Sequence, residues 1–159
     1  MRPALLFVIF YVCINALLCR HDLRSGLLPD RYTCPLLWGG LLFHQCCLPA
    51  LLPQALWGAI AGYGGFAAIY WGYRLLRHKE GLGYGDVKFL AALGAWHRWE
   101  VLPLLVFLAA TLACITLAAA GIVRGKRDIK NPLPFGPFLA VAGFITGGQT
   151  LLRVVNPSL

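Results

Sequence analysis

Six long apolar stretches, separated by charged or Gly/Pro-rich residues, organise this chain. They cover residues 3–19, 32–50, 54–73, 87–96, 101–123 and 135–152. The first carries no charged residue, and as a helix it would be about 25 Å long, near the roughly 30 Å of a bilayer core. The pattern predicts an all-α polytopic membrane protein, a six-helix transmembrane bundle forming a single domain over residues 1–159. The fourth stretch is shorter than the roughly 17 residues of a full span and is broken by Lys88. It is expected as a short fourth helix that tilts or locally thins the bilayer, the alternative being a re-entrant segment packed inside the bundle. The last helix cannot start before about Phe135, because the prolines of Asn131-Pro-Leu-Pro-Phe-Gly-Pro137 remove backbone donors.

Composition agrees with burial in lipid. The chain is 59% hydrophobic and 13% charged, against about 25% charged in soluble domains, and its mean hydropathy is +0.70. The net charge of +8 does not form one basic patch but alternates with apolar runs, so nucleic acid is not expected as a partner. With six crossings, Arg20, Arg24, Arg31, Arg74, Arg77, Lys79, Lys88, Arg124, Lys126, Arg127 and Lys130 share one face. Only Arg2, Arg98 and Arg153 fall on the other. The positive-inside bias puts both termini outside. No A-x-A-like cleavage site follows the first stretch, which reads as a retained helix. The six cysteines show neither CxxC nor metal-ligand spacing and are expected as small buried hydrophobes, with no metal site.

The chemistry sits at the ends of these stretches. Only six acidic residues occur, and a carboxylate at the edge of a membrane helix is costly to keep. Asp86 closes Gly81-Leu82-Gly83-Tyr84-Gly85-Asp86 where the fourth stretch begins, and Asp22 follows the first. Two spans separate them, so both reach the same face. If they also meet, they share one proton and titrate as a unit. The ionised member can then take a proton from an attacking water while the protonated one polarises a carbonyl. The glycines before Asp86 permit close approach of an extended chain, and equally describe a flexible loop with Asp86 capping the helix.

Three blocks extend the reading. They are Asp22-Leu-Arg-Ser-Gly-Leu-Leu-Pro-Asp30 with Thr33-Cys-Pro-Leu-Leu-Trp-Gly39, then Lys79-Glu-Gly-Leu-Gly-Tyr-Gly-Asp-Val-Lys-Phe-Leu-Ala-Ala-Leu-Gly-Ala-Trp96, then Pro134-Phe-Gly-Pro137 with Leu139-Ala140. In this order, across nearly the whole chain, they closely resemble the type IV prepilin leader peptidases, a family of GxGD membrane aspartic proteases. The resemblance implies a catalytic pair at Asp22 and Asp86, with Asp30, Glu80, Gly83, Gly85, Lys88, Pro134 and Gly136 supporting the site or contacting substrate. It implies a multi-pass protein of the bacterial inner membrane that cuts prepilins or type II secretion pseudopilins at the cytoplasmic face, with the substrate's apolar helix alongside its own helices in the bilayer. Bifunctional members add an N-terminal region with paired CxxC motifs and methylate the new terminus. This chain begins almost at the helix of the first aspartate, so peptidase without methyltransferase is expected, with no cofactor. The alternatives are a preflagellin-like GxGD protease and a catalytically silent assembly factor.

Other features have plainer expectations. Gly58 and Gly62 form a GxxxG suited to close helix packing. His21 and His78 are expected at headgroup level, and Trp38, Trp57, Trp71, Trp96 and Trp99 mostly in an interfacial belt.

Overall fold

The computed structural model describes residues 3–77, 83–124 and 134–155. Within them the chain is all-helical: α1 Pro3–Ser25, α2 Asp30–Cys47, α3 Leu52–Arg77, α4 Tyr84–Arg124 and α5 Gly136–Val155. A 3-10 turn, Pro49–Leu51, leads into α3. The start of α5 at Gly136 agrees with the limit that the prolines set.

The helices outrun the apolar stretches. α1 continues past Cys19 to Ser25, and α3 past Tyr73 to Arg77. The end of an apolar run marks a change of environment, whereas a helix persists until the backbone is stopped. In α1 the stop is Gly26, at φ +62, whose N–H bonds to the Asp22 carbonyl at 2.8 Å. Pro29 then adopts an extended conformation, φ −74 and ψ 139, and α2 begins at Asp30.

The fourth and fifth stretches, expected as separate helices, are two helices that meet at a kink within the segment α4. Its backbone breaks only at Arg98, at φ 65 and ψ 163, leaving arms 84–97 and 99–124. A non-glycine residue in that region costs on the order of 1–3 kcal/mol and must be held by its surroundings. Arg98 is held at the start of α3, its Nη1 donating to Gln54 Oε1 at 3.1 Å, with Glu100 Oε2 at 3.7 Å.

α4 packs against α3, α5 and α2, while α1 packs against α2 and α5. The α3–α4 seam is made by glycine. A Cβ on Gly58 would overlap the Gly94 carbonyl oxygen, and one on Gly94 would overlap that of Gly58. A Cβ on Gly62 would stand 2.7 Å from the Leu90 carbonyl oxygen. The GxxxG expectation is met, and pairing Gly58 with Gly94 and Gly62 with Leu90 runs α3 antiparallel to the first arm of α4. Backbone contact of this kind lets dispersion act over the whole seam.

Trp96 is the hub of the core and corrects the interfacial expectation, being only 2% exposed while Trp38, Trp57, Trp71 and Trp99 are exposed. It stacks on Phe43 of α2 with centroids 5.4 Å apart and contacts Tyr11 of α1 at 4.7 Å. Its Nε1–H donates to the Leu36 carbonyl at 2.8 Å, so the indole is both packed and satisfied.

The cysteines also depart from expectation. All six are free, and none is buried: Cys13, Cys34, Cys46 and Cys114 are exposed. In lipid an apolar thiol has no need to turn inward. Among the described residues, two helices are long and apolar enough to cross a membrane, over Ala4–Ser25 and Tyr84–Ala119. Large apolar side chains such as Leu6, Ile9, Ile60, Ile69, Phe107 and Ile115 lie on the outer surface.

The glycine seam yields a test by thermal unfolding in detergent. Gly58→Ala should lose about 1–3 kcal/mol, the cost of overpacking, because the neighbour it meets is backbone. Gly64→Ala, with nothing within 4 Å of its Cβ, should leave the midpoint unchanged or raised.

Candidate functional site

Three helix ends converge on Leu28, in the turn between α1 and α2. A Cβ on Gly85, in the first turn of α4, would lie 2.8 Å from Leu28 Cβ. One on Gly136, the first residue of α5, would lie 3.4 Å from Leu28 Cδ2. Leu28 is buried. The two glycines therefore allow α4 and α5 to press against the turn that follows Asp22.

That convergence assembles the two acids. Asp22, in the last turn of α1, is 4% exposed, and Asp86, in the first turn of α4, is 7% exposed. Asp22 Oδ2 accepts the Gly136 N–H at 2.9 Å. This donor is one of the unpaired first-turn groups of α5, and the helix dipole adds to its attraction for a carboxylate. A side chain at Gly136 would crowd Asp22, its Cβ standing 2.6 Å from Oδ2, so the carboxylate would have to swing away and give up this bond. Asp86 turns back towards the residue before its helix: its Oδ2 is 3.1 Å from where a Gly83 Cβ would sit, and its N–H bonds to the Gly83 carbonyl at 3.0 Å. Asp22 and Asp86 thus flank the same turn, Asp22 through Gly136 and Asp86 through its neighbour Gly85, both of which approach Leu28.

The supporting positions divide into three groups. Gly83, Gly85 and Gly136 touch the acids or the turn beside them. Pro134 is half-buried and precedes Phe135, whose carbonyl accepts the N–H groups of Phe138 and Leu139 and so caps α5. Asp30 and Lys88 pair with each other, Lys88 Nζ lying 2.7 Å from both carboxylate oxygens of Asp30. The bridge ties the start of α2 to the start of α4, and Lys88 also stands over the Tyr84 ring, 5.3 Å from its centroid. Glu80 lies outside the described residues, as does His78. His21 Nδ1 bonds to Ser25 Oγ at 2.8 Å, within its own helix.

Sequence reasoning missed Leu28, an apolar residue with no chemical mark of its role. It also missed a buried polar pair, the Tyr11 hydroxyl and His97 Nε2 at 2.9 Å, and the fully buried Asn15 and His44. The signal for these was present, since a polar side chain inside an apolar stretch is expensive and implies a partner.

Residues 8–119 match the model of the Type IV leader peptidase family. Among curated proteins, the chain is 74% identical to Leader peptidase HopD of Salmonella typhimurium, over 92% of this chain and 95% of that one. It is 65% identical to Leader peptidase HopD of Escherichia coli, over 96% and 98% respectively. Prepilin leader peptidase/N-methyltransferase of Stutzerimonas stutzeri is 44% identical over 78% of this chain, and the match spans 43% of that longer protein. No solved structure matches.

Gly136→Ala tests the seating of Asp22. It should lower the unfolding midpoint in detergent by an amount equivalent to about 1–3 kcal/mol. An unchanged midpoint would mean that the bond from Gly136 to Asp22 adds little to the stability of the fold.

Proposed function

The chain belongs to the type IV leader peptidase family and is a protease of it, and we propose that it removes the short basic leader of type IV prepilins or type II secretion pseudopilins through an Asp22/Asp86 pair. The observation that carries this reading is the burial of both acids where three helix ends meet, with no cation bonded to either among the described residues. Two carboxylates that interact in so poorly hydrated a place hold one proton between them.

The roles follow from their partners. Asp22 accepts the N–H at the positive end of α5, which favours its ionised form. It takes a proton from a water that attacks the scissile carbonyl carbon. Asp86 carries the shared proton and donates a hydrogen bond to the carbonyl oxygen as charge gathers there. The tetrahedral intermediate then collapses, the C–N bond breaks, and a proton passes to the leaving amine. The exposed backbone at Gly83, beside Asp86, can meet an extended substrate, whereas the space at Gly85 is taken by Leu28.

The membrane arrangement completes the proposal. A straight helix the length of α4 would be about 60 Å long, twice the roughly 30 Å hydrocarbon layer. The break at Arg98 supports two crossings instead, the first a short one of about 21 Å. Six crossings bring the basic loops and both aspartates to the cytoplasmic face of the inner membrane, with both termini outside. The apolar helix of the substrate lies beside the enzyme's own helices in the bilayer.

Leader removal from a co-expressed prepilin or pseudopilin, followed by mobility shift, tests the pair. Asp22→Asn and Asp86→Asn should each reduce cleavage by about a hundredfold or more while the protein stays in the membrane. Full activity in either variant would reject the assignment. Initial rates against pH should trace a bell. The acidic limb appears when both carboxyls are protonated and the base is lost, and the alkaline limb when both are ionised and the acid is lost. A profile with only one limb would leave one aspartate without a proton-transfer role.

A further inference from the structure

A second site lies on the outer side of the same helix ends. Leu17, Arg20, His21 and Arg24 of α1, with Tyr32 of α2, line a pocket of about 250 Å³. Arg20 and Arg24 are one turn apart and exposed, whereas Asp22 between them is buried, so the pocket opens away from the acids. The ion pairs among the described residues are Lys88–Asp30 and Arg98–Glu100, so no described carboxylate neutralises either arginine. The Arg31 guanidinium lies 4.9 Å from the centroid of the Tyr32 ring, adding a third positive charge beside the second wall of the pocket.

We propose that this pocket binds the phosphate headgroup of an anionic phospholipid from the same leaflet, clamping the end of α1 to the start of α2. Two guanidiniums on one helix face, a ring nitrogen and a phenol from the next element form a donor set for a phosphate monoanion or diester. Leu17 is the lining residue on the bilayer side of Arg20 and is exposed, which gives the first methylenes of an acyl chain an apolar wall. That contact selects a lipid over a free phosphate. A basic leader peptide is repelled by the same arginines, so the pocket is not a substrate subsite. Basic pockets between membrane helices at this level suit anionic headgroups in general. The inference rests on α1 crossing the membrane, and not on the aspartate chemistry.

The test uses the full chain purified in neutral detergent and titrated with phosphatidylglycerol or phosphatidylcholine, with retained lipid counted by native mass spectrometry. Anionic phosphatidylglycerol should be retained in about tenfold or greater preference over zwitterionic phosphatidylcholine, since basic residues at this level favour lipid of net negative charge. Arg20→Gln/Arg24→Gln should abolish most of that preference, and Arg20→Lys/Arg24→Lys, which keeps the charge if the first variant does not fold, should retain part of it. Arg74→Gln, outside the pocket, should keep it. Equal loss in Arg74→Gln would overturn the proposal in favour of diffuse charge attraction. Displacement of phosphatidylglycerol by an equal concentration of inorganic phosphate would overturn the lipid assignment. Leader cleavage by the same preparations is scored separately, since Asp22→Asn should lose cleavage and keep lipid preference.

Discussion

The bond from the Gly136 N–H to the Asp22 carboxylate, made over the buried side chain of Leu28, is the contact on which the rest of the site depends. It joins residues from opposite ends of the chain and gives a buried acid a donor. Without it, Asp22 would face a poorly hydrated interior with no described donor for its charge. It also explains why this corner is built from glycine. Any side chain at Gly136 would strike the carboxylate, and any at Gly85 would strike Leu28.

The remainder of the bundle holds that corner in register. The Gly58–Gly94 and Gly62–Leu90 contacts bring α3 and the first arm of α4 to backbone distance, which sets the axial position of Asp86. Trp96 adds α1 and α2 through Tyr11, Phe43 and the Leu36 carbonyl, near the far end of that arm. Asp30 and Lys88 close the near end with a bidentate bridge. An exposed bridge of this kind contributes little to stability, roughly 1 kcal/mol or less, so its value lies in alignment of the two helix starts. Strain at Arg98 is offset by its tie to Gln54, which lets the chain leave the short arm abruptly.

Much of this was legible in the sequence, for physical reasons. The apolar stretches locate the helices because lipid and helix periodicity both leave a mark on hydropathy. Asp22 and Asp86 are visible because acids are so rare here and so costly at such positions. The start of α5 follows from its prolines. What stayed hidden depends on three-dimensional register. Nothing along the chain says that Asp30 meets Lys88, that Gly94 faces Gly58, or that Leu28 lies under two helix starts. Trp96 was misjudged because its place at a segment end resembles that of the exposed tryptophans, and only packing against Phe43 and Tyr11 distinguishes it. The cysteines were misjudged because burial rules for water were applied to surfaces that lipid can cover.

The central claim is that the two carboxylates meet, and proximity can be measured without reference to activity. Asp22→Cys/Asp86→Cys, in a background with the six native cysteines replaced, should be joined within one chain by the shortest bis-thiol reagents. The cross-linked peptide would be identified by mass spectrometry. Efficient cross-linking is the result the account predicts. Failure to cross-link, while each cysteine alone reacts readily with a monofunctional thiol reagent, would contradict it.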